Sequence, residues 1–139
     1  MVTSSQLAKV EAAIHDLVEH PHKPWMHNID AAAAVEYIHK TAAGQTQSLC
    51  AVVGGVFVMY AVGQQWWAAK PVLAEEMLLR IEPGADLASV LAFMERTAQL
   101  LDCSGVALGT SISTSDVALM RLYRQFGYVE SANVMYKET

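Results

Sequence analysis

The histidines are the residues of the N-terminal third that could bind a metal. The chain has five histidines, and His20, His22 and His27 lie within eight positions of one another around two prolines. Imidazole binds zinc, but a zinc site here would need a cysteine or carboxylate at a matching spacing, and none stands there. We therefore predict histidines exposed to solvent on a loop and on helix surfaces, and no metal site.

Two neighbouring carboxylates, Glu75 and Glu76, interrupt the apolar segment Val72–Ile81. The segment is apolar at alternate positions of both parities, which predicts a strand buried on both faces and therefore central in a sheet. Successive side chains of a strand point to opposite faces, so one of the two carboxylates faces any cleft on that sheet, whatever the register. Alternatively, both are solvated at a strand end or pair with Arg80.

The thiols of Cys50 and Cys103 lie in apolar surroundings, one in a predicted strand and the other just after a predicted helix. Buried free thiols are typical of proteins in a reducing compartment. We predict that the two cysteines are unpaired.

The composition predicts one folded domain of 139 residues, with 53% apolar and 17% charged residues. A net charge of -5 argues against a nucleic-acid surface. The longest apolar run, Leu49–Val62, is shorter than the roughly 18 residues of a membrane span and contains Gly54 and Gly55. The first residues, Met1–Gln6, lack the pattern of a signal peptide. We expect a protein that is not secreted and has no membrane span.

Helices are predicted in the first part of the chain, residues 1–46. Apolar residues at helical spacing predict a helix over Ser4–Glu19, capped by Ser4 or Ser5. Two prolines end it, and a second helix is predicted over Ile29–Lys40 with Asn28 as its cap.

Strands and helices alternate in the remaining part, residues 47–139. Gly54 and Gly55 can adopt the positive φ angles of a two-residue hairpin turn. In the following loop, one of the adjacent Trp66 and Trp67 lines a cleft or a partner surface, or both pack against the N-terminal helices. The predicted elements are strands Ser48–Val53, Val56–Val62 and Val72–Ile81, a helix from Leu87 to about Asp102 capped by Asp86, a strand Gly105–Thr110, a helix that begins at the capping box Ser113–Asp116 and stops at Gly127, and a final strand or hairpin arm Val129–Lys137.

The segment Ala118–Tyr128 resembles a signature of the GCN5-related N-acetyltransferase (GNAT) superfamily, in which a tyrosine is followed by a glycine and an aromatic residue. The resemblance covers about Leu49–Lys137. It implies an α/β fold with a mixed, mostly antiparallel sheet flanked by about four helices, and acetyl-CoA as the cofactor if the protein is active. It also implies that Tyr123 protonates the leaving thiolate and that Glu75 or Glu76 is the general base.

The same resemblance implies the residues that contact the cofactor. The predicted strand would pair through its backbone with the pantetheine arm, and the following loop and helix start would hold the pyrophosphate. The implied cofactor-binding residues are Met77, Leu78, Leu79, Arg80, Ile81, Gly84, Ala85, Asp86, Leu87, Ala88 and Ser115.

The loop Glu82–Ala88 departs from the family pattern. Its leading Gln or Arg and its second glycine are absent, and Pro83 removes one N–H donor. Asp86 would cap the helix itself and so compete with phosphate for the amides. A further departure is Ser115, where many members have asparagine.

Two functions follow from these features. The likeness is closest to small GNAT-like proteins of tailed phages, which favours a virion-associated or assembly protein with weak or lost catalysis. Its partners would be other viral proteins, or a second copy of itself, in the host cytoplasm or the virion. The alternative is an acetyl-CoA-dependent N-acetyltransferase acting on an amine of a protein or a small molecule.

Overall fold

The computed structural model describes residues 1–132 and 134–139. Within these residues the chain forms four α-helices, one short 3-10 helix and four strands of a single sheet, which is the α/β class predicted above. In chain order the elements are α1 Ser4–Glu19, the 3-10 helix Pro24–Asn28, α2 Ala31–Ala42, β1 Leu49–Val53, β2 Val56–Gly63, β3 Val72–Arg80, α3 Leu87–Leu100, β4 Val106–Ala107 and α4 Asp116–Gln125.

The sheet is mixed and mostly antiparallel, as predicted, with the strand order β1-β2-β3-β4. The pairs β1–β2 and β2–β3 are antiparallel, whereas β3 and β4 are parallel. The parallel pairing consists of Leu73 with Val106 and Ala74 with Ala107. Because β3 continues to Arg80 beyond this pairing, the sheet opens between the two strands. The prediction that Val72–Ile81 forms a central strand is confirmed.

Hydrophobic clusters cover both faces of the sheet, and β2 contributes to both of them. Phe57 and Met59 pack with α1 and α2 on one face, whereas Val56, Val58 and Tyr60 pack with α3 on the other. Burial on both faces is the physical reason why β2 reads as a continuous apolar run.

The hairpin between β1 and β2 contacts the loop that precedes α3. Gly54 and Gly55 have φ angles of +55° and +76°, as a two-residue turn requires. The Asp86 N–H donates to the Gly54 carbonyl at 2.8 Å. A Cβ atom on Gly54 would lie 2.9 Å from the Asp86 carbonyl oxygen, so glycine is needed there for the close approach as well as for the turn.

The predicted caps of the N-terminal helices were wrong. Thr3 caps α1: its Oγ1 accepts from the Gln6 N–H at 3.1 Å, and the Gln6 side chain accepts from the Thr3 N–H. Asp30, not Asn28, caps α2 by accepting from the Ala33 N–H at 3.0 Å. Asn28 belongs to the 3-10 helix, which begins at Pro24 and delays the start of α2.

The caps of the other two helices are closer to expectation. Asp86 caps α3, as predicted. At α4 the cap is Ser115, which accepts from the Ala118 N–H, whereas Ser113 accepts from the Ser115 N–H. The predicted capping box therefore begins two residues too early.

The structure also contradicts the predicted final strand. Of the predicted strand Gly105–Thr110 only β4 forms, and the described residues of Val129–Lys137 form no strand; Asn133 lies outside the described residues. A strand needs a paired neighbour, and the two-residue β4 offers little edge to pair with. Val129 and Val134 accordingly stay exposed.

Two further predictions concern the adjacent tryptophans and the two cysteines. Trp66 and Trp67 are 92% and 69% exposed, so the expectation that both pack against the N-terminal helices was wrong. Cys50 and Cys103 are half-buried free thiols, and burial raises the pKa of Cys50. In the described part of the chain, no helix is long and apolar enough to cross a bilayer.

Candidate active site

A cleft of about 700 Å³ opens where β3 and β4 part. One wall is the second half of β3, and the facing wall is the segment 109–115 that leads from β4 into α4. Residues of α1 and the turn after it close one side. The lining side chains include Ala13, Asp16, Leu17, His20, His22, Glu75, Leu78, Leu79, Arg80, Leu87, Ile112, Ser115, Leu119 and Leu122.

Glu75 is the carboxylate that faces this cleft. It is half-buried, and its Oε1 accepts a hydrogen bond from the Gly109 N–H at 3.2 Å. Burial raises the pKa of Glu75 to about 7; the Gly109 N–H opposes the rise, and the nearby charge of Glu76 adds to it. A carboxyl with this pKa exchanges a proton near neutral pH, which suits acid–base chemistry.

Glu76 is placed differently because of a bulge in β3. Tyr60 pairs with Glu75 and Met59 pairs with Met77, so Glu76 is an extra residue between two paired positions. Its side chain is exposed and is not part of the cleft lining. The structure thus separates the two neighbouring carboxylates by environment.

Tyr123 contacts the same backbone residue as Glu75. Its hydroxyl donates to the Gly109 carbonyl at 2.9 Å, and its side chain is 5% exposed. Burial raises the pKa of Tyr123, and electrostatic interactions with Glu75 and then with Tyr128 raise it further. The phenol therefore keeps its proton at neutral pH, and that proton is held by Gly109.

The start of α3 carries its own negative charge. The exposed Asp86 carboxylate accepts from the Ala88 N–H at 3.0 Å and from the Ser89 hydroxyl at 2.6 Å. The Ser89 hydroxyl is the main cause of the lowered pKa of Asp86. An ionised cap occupies amides that could otherwise bind an anion, so this helix start is less favourable for a phosphate than an uncharged one.

The predicted site residues are only partly brought together. Of that set, the cleft is lined by Glu75, Leu78, Leu79, Arg80, Leu87 and Ser115. Met77 and Ile81 instead pack against the cluster formed with α1 and α2, and Ala85 packs against the cluster formed with α3. Gly84, Asp86 and Ala88 lie in the loop and at the start of α3, outside the lining. Glu76 in β3 and Tyr123 in α4 are also outside the lining.

Sequence reasoning missed the contacts made by the turn after α1. All five histidines are exposed, as predicted, but His20 and His22 also line the cleft. The His22 Nε2 lies 3.0 Å from the Ile112 carbonyl. Lys23 donates to the Thr110 carbonyl and to Asp116, each at 2.8 Å. These partners are about 90 positions away in the chain, and no local pattern could have revealed them.

Metal binding finds no support in this arrangement. Among residues 1–132 and 134–139, no three histidine, cysteine, aspartate or glutamate side chains are grouped so that they could hold a metal ion. The His20 Nδ1 lies 3.2 Å from Asp16 Oδ1, so this candidate ligand already has a hydrogen-bond partner.

Strand order, open cleft and flanking helices together form the fold of the GNAT acetyltransferases. Two solved structures provisionally described as acetyltransferases are similar over nearly the whole chain. The one from Pyrococcus furiosus has a TM-score of 0.67 at 13% identity and covers 98% of this chain and 95% of its own. The one from Arthrobacter sp. FB24 has a TM-score of 0.67 at 16% identity, with 99% and 92% covered.

A third similar structure contains a cofactor analogue. AAC(6')-Iy, in complex with the bisubstrate analogue CoA-S-monomethyl-acetylneamine, has a TM-score of 0.58 at 15% identity and covers 98% of this chain and 92% of its own. No protein-family model and no curated protein matches the chain by sequence.

Proposed function

We propose that this protein is an acyl-CoA-dependent N-acyltransferase that uses acetyl-CoA to acylate a primary amine. The observation that carries the proposal is Glu75, a carboxyl with a pKa of about 7 in the cleft between β3 and β4. Support also comes from the fold, since one similar structure was solved with a CoA-containing analogue.

The cleft fits the acyl and pantetheine part of the cofactor. Its walls include the apolar Leu78, Leu119 and Leu122. On the side facing the cleft, β3 is paired with β4 only at Leu73 and Ala74, so backbone groups from Met77 to Arg80 are available to an extended ligand. Acetyl-CoA would supply an acyl group activated as a thioester.

The phosphate end of the cofactor fits less well. The ionised Asp86 occupies the start of α3, where a pyrophosphate would otherwise find free amides. Arg80 lines the cleft and has an exposed guanidinium, so it is the residue assigned to the phosphates. We expect weaker binding of CoA than an uncharged helix start would give.

Glu75 acts as the general base in this mechanism. An amine enters as its ammonium form, and the Glu75 carboxylate accepts the proton that must leave before the nitrogen can attack. Near pH 7 about half of the Glu75 population is ionised, since its pKa is about 7. The Gly109 N–H stabilises the ionised form, and apolar side chains line part of the cleft into which the amine would enter.

Tyr123 is assigned a supporting role in the proposal. Its proton is bonded to the Gly109 carbonyl, so it fixes the residue that donates to Glu75. The role implied by the family resemblance, protonation of the thiolate, stays a prediction.

Two measurements test the proposal. Acetyl-CoA at 100 times its Kd should raise the free energy of unfolding by about 2.7 kcal/mol. A panel of primary amines should then be acetylated, and Glu75→Gln should lower kcat/KM by roughly 100-fold or more. Glu76→Gln, which changes the exposed neighbour, is the matched control and should change kcat/KM less than about threefold. No stabilisation at millimolar acetyl-CoA would refute the proposal.

One observation favours a second candidate, a protein that keeps the fold and binds another protein without catalysis. The charged cap at Asp86 weakens the anion site on which CoA binding depends. None of the similar structures described above is a phage or virion protein, so the virion role and its viral partners stay predictions. Intact turnover in the amine panel would exclude this candidate.

A further inference from the structure

We propose that Lys23 is a positioning residue for Glu75, acting through the backbone of the segment 109–115. The consequence for turnover rests on the proposed function, whereas the effect on Glu75 itself does not. The hydrogen bonds of the Lys23 ammonium go to Thr110 and Asp116, and neither residue belongs to β3.

Lys23 is held unusually firmly for a lysine in this chain. Its Nζ donates to the Thr110 carbonyl and to Asp116 Oδ1, each at 2.8 Å. Its side chain is 20% exposed, whereas Lys40, paired with Glu36 on the surface of α2, is 51% exposed. A partly desolvated ammonium with two short hydrogen bonds fixes its partners more strongly than a surface pair does.

The residue fixed by Lys23 follows directly after the residue that touches Glu75. Gly109 donates its N–H to Glu75 at 3.2 Å and accepts from Tyr123 at 2.9 Å, and the next carbonyl, that of Thr110, accepts from Lys23. His22 adds a contact to Ile112 two residues further on. The turn after α1 therefore holds the cleft wall that carries the N–H donor of the base.

Other titratable and charged groups near Glu75 lie on β3, on α4 and on or beside α1. Glu76 is its neighbour in β3, Tyr123 approaches from α4, and Arg80 lines the same cleft from the end of β3. Asp16, His20 and His22 line the cleft from the side of α1. The Lys23 charge is already paired with Asp116, so its influence on Glu75 is expected through the position of Gly109.

The test is a ¹³C NMR titration of the Glu75 side-chain carboxyl in wild type, Lys23→Met and Lys40→Met. Lys23→Met removes both hydrogen bonds and keeps the side-chain length. We expect the Glu75 titration midpoint to move to higher pH, because a loosened Gly109 N–H stabilises the carboxylate less. Lys40→Met, which breaks a surface pair, should leave the midpoint in place. Lys23→Arg should restore the wild-type midpoint.

Two further variants distinguish the hydrogen bond to Thr110 from the ion pair with Asp116 and provide a replacement if Lys23→Met does not fold. Asp116→Asn weakens the ion pair but keeps the bond to Thr110, so its midpoint should match wild type. If Lys23→Met does not fold, Lys23→Gln takes its place, because its side chain is one bond shorter and carries no charge. An unchanged or lowered Glu75 midpoint in the folded Lys23 variant would overturn the inference, even if its Tm falls.

Kinetics connect the inference to the proposed function. If wild type acetylates an amine, Lys23→Met should lower kcat on the order of 10-fold with a smaller change in KM for acetyl-CoA. The acidic limb of its pH profile should move in the same direction as the NMR midpoint. Absence of turnover in wild type would count against the proposed function alone, because the NMR titration needs no activity.

Discussion

Glu75 and Tyr123 bind the two backbone groups of one residue, Gly109. Glu75 accepts its N–H at 3.2 Å, and the Tyr123 hydroxyl donates to its carbonyl at 2.9 Å. The two side chains come from β3 and α4, so this residue links the central strand to the last helix. Because both side chains bond Gly109, a shift of the buried Tyr123 is expected to change the hydrogen bond that stabilises the Glu75 carboxylate.

The contribution of Glu75 to stability should fall as the pH rises from about 4.5 to about 7. Glu75 has a pKa of about 7 in the folded protein and about 4.5 when exposed, so the folded state holds a proton that the unfolded state releases in this range. The loss is at most about 3 kcal/mol. Glu75→Gln removes this pH-dependent loss. Denaturant unfolding of wild type and Glu75→Gln at pH 5 and pH 8 compares how much each free energy of unfolding changes with pH. Parallel curves for wild type and Glu75→Gln would contradict the raised pKa.

Tyr123→Phe should destabilise the fold by about 1 to 3 kcal/mol, because the Gly109 carbonyl loses its donor. We expect turnover to slow by less than about 10-fold, since the hydroxyl positions Gly109 and does not line the cleft. The control is Tyr37→Phe on α2, which removes a hydroxyl that lies 2.7 Å from the Ser48 hydroxyl. If turnover instead slows by roughly 100-fold or more in Tyr123→Phe alone, the hydroxyl is the acid.

Asp86→Ser should strengthen acetyl-CoA binding without unfolding α3. Serine caps helices about as well as aspartate, but it removes a negative charge beside the expected phosphate position. We expect a Kd roughly fivefold lower at low salt, and the gain should shrink as salt is added. Calorimetric titration measures both. Asp86→Ala, which also loses the cap, should lower Tm. Equal Kd values for wild type and Asp86→Ser would mean that the phosphates of CoA do not bind at the start of α3.

Gly54→Ala should be more destabilising than Gly44→Ala. Both glycines have positive φ angles, +55° and +74°, so each alanine costs about 1 kcal/mol of backbone strain. Only at Gly54 does the new Cβ meet a neighbour, the Asp86 carbonyl oxygen at 2.9 Å, whereas Gly44 has open space. The clash should add about 1 to 3 kcal/mol. Urea unfolding of the two variants compares them, and equal losses would mean that the hairpin does not press on the loop before α3.

Local chemistry allowed the elements near the site to be predicted. The glycine pair gave the hairpin, the apolar run gave the central strand, and the aspartate before Leu87 gave the α3 cap. The predicted final strand failed, because a strand is stable only when another strand offers it an edge, and that edge is set by residues far away in the chain.

The sequence by itself predicted the fold class, and the alternation of side chains along a strand predicted that one of two neighbouring carboxylates would face the cleft. Only the tertiary structure decided that Glu75 is the one: it lines the cleft, whereas Glu76 is the extra residue of a bulge and is exposed. Its hydrogen bond to Gly109 joins residues 34 positions apart, and the burial that raises its pKa likewise comes from tertiary packing. Burial and the electrostatic environment depend on what surrounds a residue in space, and the neighbouring residues in the sequence do not specify these surroundings.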